Sequence, residues 1–116
     1  MRINPEEYAY YIRPGVTDMR KCAPSLSRIV QDQMRLEPFG KSVFLFCGRN
    51  RRTVKAILWD GNGWLEIAKR LECGESFKWP ESEKDAMGIT VAQVEGMLRG
   101  NDVWREFPVF TPKLVG

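Results

Sequence analysis

The chain has 116 residues, of which 43% are hydrophobic and 28% are charged, a composition typical of a single soluble globular domain. It contains no histidine, which excludes Ser–His and Cys–His catalysis and the commonest zinc ligand. No stretch approaches the roughly 20 apolar residues that span a bilayer, and the N-terminus lacks the apolar core of a signal peptide. We therefore expect a cytoplasmic protein without membrane contact.

The three cysteines, Cys22, Cys47 and Cys73, are widely spaced and odd in number. This pattern argues against a disulfide framework and contains no CxxC pair for a metal. Each lies beside apolar residues, so we expect buried free thiols and no metal or cofactor.

The net charge of +3 is unevenly distributed along the chain. Residues 41–59 include no Asp or Glu but five basic residues: Lys41, Arg49, Arg51, Arg52 and Lys55. A local basic surplus is typical of a patch that contacts an anionic partner. A solvated turn that merely collects charge is the alternative.

The first half of the chain predicts a strand followed by a helix. Residues 7–12 are rich in tyrosine and favour a short strand that ends at Pro14-Gly15. Pro24 suits the first turn of a helix, where its missing N–H is harmless. That helix would bury an apolar stripe with spacings of three and four: Leu26, Ile29, Val30 and Met34.

Consecutive strands are predicted next. Residues 43–47 are predicted to form a buried strand, and a basic turn joins them to a predicted strand over residues 54–59. The sequence Asp-Gly-Asn-Gly at 60–63 favours a tight hairpin. If Gly61 and Asn62 are its loop residues, the next strand places Trp64 opposite Trp59, Leu65 opposite Leu58 and Ile67 opposite Ala56.

The last third predicts a short strand at 77–79 and a helix that begins with a capping box of Thr90 and Gln93. The elements together indicate an α+β fold in which an antiparallel β-meander of four to five strands packs against two main helices. We expect one domain over residues 1–105 and an apolar C-terminal tail over 106–116.

Carboxylates are the remaining candidates for catalysis, because histidine is absent. Four of them could be imagined as a metal-binding set: Asp18, Asp60, Glu66 and Glu72. Helix capping, hairpin geometry and edge positions explain each of them, and none is spaced as a local metal loop. We predict no catalytic residues, and a magnesium-dependent nuclease is the third hypothesis below.

Basic and aromatic residues form the candidate binding surface. The predicted nucleic-acid contacts are Arg49, Arg51, Arg52, Lys55, Lys69 and Arg70. Guanidinium groups bind phosphates in a bidentate manner, and aromatic faces stack on unpaired bases. Trp59 and Trp64 are the candidate partner-binding residues, the alternative being a cross-strand pair that stabilises the hairpin beneath a helix.

Several segments, in order and spacing, resemble a known family across about residues 8–105. They are Arg13–Lys21, Phe46–Arg49, Lys55, Ile57–Gly63, Lys69–Glu72, Gly74, Phe77 and Trp79-Pro80. The chain resembles the small accessory protein of bacterial insertion sequences of the IS-sixty-six family, the TnpB-type or Orf-two-like product. The resemblance implies a role in transposition beside a separate, larger transposase, and it supplies no established catalytic residues.

Three hypotheses about function follow. The leading one is a non-enzymatic accessory factor that acts with the element-encoded transposase and contacts DNA through the basic turn and sheet face. The second is an adaptor that binds the transposase and no DNA. The third is a carboxylate nuclease, which would lose cleavage on Asp60→Asn. The sequence leaves the oligomeric state open.

Overall fold

The computed structural model describes residues 4–72, 74–81 and 87–99. These residues form a 3-10 turn (Pro5–Glu7), five strands and two α-helices. In chain order the main elements are β1 (Ala9–Ile12), α1 (Ala23–Asp32), β2 (Ser42–Cys47), β3 (Thr53–Trp59), β4 (Trp64–Arg70), β5 (Met87–Ile89) and α2 (Val91–Leu98).

The five strands form one mixed sheet in the order β4-β3-β2-β1-β5. β1 and β2 are parallel, whereas the other neighbouring pairs are antiparallel. The α+β prediction is confirmed, but the prediction of a wholly antiparallel meander is wrong. Parallel neighbours need a crossover connection, and α1 is that crossover, so a strand, a helix and a strand in succession form a βαβ unit here.

β2 is buried on both faces, which explains its uninterrupted apolar sequence. Phe44 and Phe46 pack beneath α1, together with Ile57 of β3. The predicted stripe is confirmed for Leu26, Ile29 and Val30, which α1 buries in this layer, and Pro24 lies in the first turn of the helix. Met34 is buried in the same layer but follows the end of α1 at Asp32.

The opposite face of the sheet is covered by α2 and by the segment that follows β4. Phe77 and Trp79 are buried there with Val94 and Met97 of α2. Residues 77–79 are not a strand, so that prediction is wrong; their apolar side chains fill the core from an irregular segment. The fifth strand is instead Met87–Ile89, which pairs with β1.

The β3–β4 hairpin has the predicted register. Trp59 pairs with Trp64, Leu58 with Leu65, and Ala56 with Ile67. Asp60 donates its N–H to the carbonyl of Gly63 over 3.0 Å, and Gly61 adopts a φ of 109°, which L side chains rarely tolerate. The capping box of α2 is also confirmed, with hydrogen bonds in both directions between Thr90 and Gln93.

The predicted tail at 106–116 lies outside the described residues, and the domain boundary at 105 stays a prediction. Among the residues that the structure describes, no helix has the length and apolar character needed to cross a membrane.

Candidate nucleic-acid interface

Two loops meet where the parallel strands β1 and β2 end. The chain after β1 runs beside β2, because Arg13 donates its N–H to the carbonyl of Leu45 and Thr17 donates to that of Cys47 (3.0 and 2.8 Å). The β2–β3 turn begins at the next residue, Gly48. In parallel sheets the carboxyl ends of strands are the common place for a ligand crevice.

A groove of about 640 Å³ lies between these loops. Its lining residues come from the loop after β1, the β2–β3 turn and the adjoining ends of β3 and β4: Val16, Thr17, Asp18, Met19, Arg20, Gly48, Arg49, Asn50, Thr53 and Arg70. Arg70 reaches the groove because it pairs with Thr53 in the sheet, and directly paired residues share a face. Three arginines and one aspartate give the groove a formal charge of +2.

Arg20 was missed by the sequence analysis as a candidate contact. Its side chain is 91% exposed, and Asp18 accepts hydrogen bonds from its Nε and Nη2 (3.0 and 2.9 Å). The hydrogen bonds from Arg20 hold the pKa of the Asp18 carboxyl well below its usual range. The signal that could have identified Arg20 was its place in the Arg13–Lys21 segment.

Lys55 lies on the same face of the sheet as Thr53 and Arg70 but does not line the groove. Its side chain is only 14% exposed, and its Nζ donates to the carbonyls of Met19 and Lys21, each over 3.0 Å. The same ammonium lies 3.6 Å from a carboxylate oxygen of Glu66 on β4. Lys55 therefore ties the loop after β1 to the sheet.

Arg51 and Arg52 do not line the groove, and they hold the segment after β4. The carbonyl of Arg51 accepts the N–H of Phe77 (2.6 Å), and that of Arg52 accepts the N–H of Leu71 (2.8 Å). The Arg51 guanidinium forms an ion pair with Glu81. Among the described residues, Nη1 of Arg51 and Nε of Arg52 are buried without a hydrogen-bond partner.

Lys69 lies on the opposite face of the sheet from Arg70. It pairs with Val54, and its Nζ donates to the carbonyl of Leu98 over 2.7 Å, at the end of α2. Of the six predicted DNA contacts, the groove thus brings together only Arg49 and Arg70. Whether any of the six binds DNA stays a prediction.

Trp59 and Trp64 form an aromatic cluster with Phe39 at the other end of the hairpin. The ring centroids of the two tryptophans are 5.2 Å apart, and Phe39 lies 5.1 Å from Trp59 and 5.5 Å from Trp64. Both tryptophans are half-buried, whereas Phe39 is 52% exposed. Along β3, Trp59 of this cluster is six positions from Thr53 of the groove, or about 20 Å of strand.

The four candidate carboxylates do not gather. Asp18 binds Arg20, Asp60 accepts the N–H of Gly63 in the hairpin loop (3.2 Å), and Glu66 faces Lys55. Glu72 is exposed just after β4. Across residues 4–72, 74–81 and 87–99, no group of three His, Cys, Asp or Glu side chains is placed to hold a metal ion.

Segments that are far apart in the sequence meet beside the groove. Trp79 donates its indole N–H to the carbonyl of Arg13, and Gly15 donates its N–H to the carbonyl of Pro80, each over 2.8 Å. One corner of the molecule is thus formed by four of the segments that carry the family resemblance: Arg13–Lys21, Phe46–Arg49, Lys55 and Trp79-Pro80.

Comparison with known families matches residues 8–107 to the family described as IS66 Orf2 like protein. The chain belongs to this family. It is therefore an insertion-sequence-associated protein, as the sequence resemblance predicted. A relative from Sinorhizobium fredii (strain NBRC 101917 / NGR234), "Uncharacterized protein y4hO", is 41% identical over 95 residues, which cover 82% of this chain and 81% of the relative. No solved structure matches the chain.

Proposed function

We propose that this protein is a non-catalytic accessory factor for transposition of its insertion sequence, and that it contacts DNA phosphates through the groove. The observation that carries the proposal is the convergence of Arg20, Arg49 and Arg70 on one groove. A guanidinium keeps its charge at any physiological pH and presents a planar fork of donors to phosphate oxygens. The separate, element-encoded transposase is the proposed protein partner.

Phosphate contacts fix a protein's position on DNA but do not read its sequence. The groove supplies arginines from two loops and one strand end, so the proposed contact is to the DNA backbone. In this account the affinity is mainly electrostatic, and the choice of insertion-sequence ends is left to the transposase.

The direct test replaces Arg20, Arg49 and Arg70 by glutamine and measures binding to a fluorescein-labelled duplex by fluorescence anisotropy. The matched control replaces Arg28, Arg35 and Lys41, three exposed basic residues outside the groove, by glutamine. Both variants remove three positive charges, so both lower the formal net charge from +3 to zero. We expect the groove variant to lose at least about tenfold in affinity, because three phosphate contacts are removed, and the control to lose much less. Equal losses in the two variants would show that net charge alone, and not the groove, attracts DNA.

A second candidate function is an adaptor that binds the transposase through Phe39, Trp59 and Trp64 and does not bind DNA. The observation that favours it is the half-exposed aromatic cluster, since aromatic side chains are enriched in the centres of protein interfaces.

The adaptor hypothesis is tested by measuring how much of this protein co-purifies with tagged transposase. Phe39→Ala removes the most exposed ring of the cluster, and Ile67→Ala removes a comparably exposed apolar side chain from the opposite sheet face. We expect Phe39→Ala to weaken the complex at both low and high salt, while Ile67→Ala leaves it intact. Recovery of the Phe39→Ala protein at the wild-type level would count against this surface.

A further inference from the structure

The loop after β1 forms one wall of the groove, and the partly buried ammonium of Lys55 lies beneath it. Nζ of Lys55 is 3.0 Å from the carbonyl oxygen of Met19 and 3.0 Å from that of Lys21. These carbonyls belong to the residues on either side of Arg20, the exposed arginine of this wall. Glu66 supplies the opposite charge from β4.

A partly buried ammonium loses some of its hydration and needs acceptors from the protein, because an unpaired charge away from water is unfavourable. Here two main-chain carbonyls and one carboxylate meet that need. The two carbonyls converge on one point only if residues 19–21 curve over the sheet. Removing the ammonium takes away the donor that draws the two carbonyls inward, so the loop loses one of its anchors.

The loop is held from a second direction by close packing. A Cβ placed on Gly48 would lie 2.7 Å from Cγ of Met19, so a larger residue there must displace the Met19 side chain. The N–H of Thr17 is bonded to the carbonyl of Cys47 at the root of the same loop. Glycine at position 48 and lysine at position 55 therefore fix one segment from two sides.

We propose that Lys55 is a positioning residue that holds the groove open in a phosphate-binding shape and does not itself touch DNA. The proposal rests on the proposed function of the groove. It replaces the sequence-based role of Lys55 as a direct DNA contact with an indirect one, exerted through Arg20. A preformed wall avoids ordering the loop when DNA binds, and avoiding that ordering raises affinity.

The test compares Lys55→Met with Lys41→Met in the full chain. Lys41 is an exposed lysine at the other end of β2, paired with Glu7 at 3.2 Å, and it does not line the groove. Anisotropy titrations from about 50 to 200 mM salt give both the affinity and the slope of log affinity against log salt. Each phosphate that the protein neutralises contributes roughly 0.9 to that slope.

We expect Lys55→Met to bind DNA about tenfold more weakly than wild type with an unchanged slope. The affinity falls because the loop must then become ordered when DNA binds, and the slope is unchanged because no phosphate contact is lost. A slope shallower by about 0.9 would mean that Lys55 contacts a phosphate directly, and would overturn the proposal.

Gly48→Ala disturbs the same loop without changing any charge. We expect it, like Lys55→Met, to lower affinity without changing the salt slope, so the proposal remains testable if Lys55→Met fails to fold. Wild-type affinity in a folded Gly48→Ala or Lys55→Met protein would overturn the proposal.

Amide hydrogen exchange tests the positioning role without DNA. The N–H groups of Thr17 and Arg20 are bonded in the folded loop, the latter to Asp18 over 2.9 Å. We expect faster exchange of both in Lys55→Met, with α1 and β2 unchanged, and no such change in Lys41→Met. Unaltered exchange in Lys55→Met would contradict the proposal even if the wild-type protein bound no DNA, a result that would separately refute the proposed function.

Discussion

At the scale of single residues, charge in the sequence and charge at the surface differ. Of the basic residues around the β2–β3 turn, Arg49 is exposed in the groove, whereas Lys55 is directed at main-chain carbonyls. Sequence composition cannot distinguish a lysine with protein acceptors from one that faces solvent. Arg20 illustrates the converse, since it lies outside the basic segment 41–59 and yet is exposed in the groove.

Cysteine burial gives a residue-scale prediction. Cys22 is exposed at the start of α1, against the expectation of buried thiols, while Cys47 is fully buried. Burial raises the pKa of the Cys47 thiol to about 11, although the nearby charge of Arg51 acts to lower it. Because the thiolate is the reactive form, we expect iodoacetamide at pH 8 to alkylate Cys22 in the native protein and Cys47 only after unfolding. Peptide mass mapping measures both sites, and native labelling of Cys47 at a rate like that of Cys22 would contradict this burial.

At the scale of elements, local patterns were predictable and long-range pairings were not. The hairpin register followed from the turn residues after Trp59 and from the alternation of β3 and β4, both local features. The parallel pairing of β1 with β2 depends on how α1 packs across the sheet, which no local pattern specifies. The groove could not be predicted for the same reason, because Arg20 and Arg49 are brought together only by that pairing.

The capping box of α2 gives an element-scale prediction. Thr90 accepts the N–H of Gln93 over 3.1 Å, and the buried Gln93 side chain accepts the N–H of Thr90 over 2.9 Å. Thr90→Ala should lower the free energy of unfolding by about 1 kcal/mol, since a backbone donor at the helix start loses its partner. Urea denaturation measures the change. Glu95→Gln, at an exposed position of the same helix, should stay within about 0.5 kcal/mol of wild type, and a similar loss in both variants would refute a specific role for the cap.

At the scale of the whole molecule, two features lie at opposite ends of the β3–β4 hairpin. The arginine groove lies at the Thr53 and Arg70 end, and the aromatic cluster lies at the Trp59 and Trp64 end. The sequence places basic and aromatic residues on one candidate surface, whereas in the structure about 20 Å of strand separates the groove from the aromatic cluster. In the proposed account DNA occupies the first end, so a protein partner at the second would not compete with it.

The salt dependence of DNA binding tests the central claim most directly. Anisotropy titrations between about 50 and 200 mM salt should show wild-type affinity that falls steeply, and a groove variant (Arg20, Arg49 and Arg70 to glutamine) whose log–log slope is shallower by roughly 0.9 for each arginine that neutralises a phosphate. The control variant of Arg28, Arg35 and Lys41 should keep the wild-type slope. Identical slopes in wild type and groove variant, or no wild-type binding at about 50 mM salt, would contradict the assignment of the groove as a DNA contact.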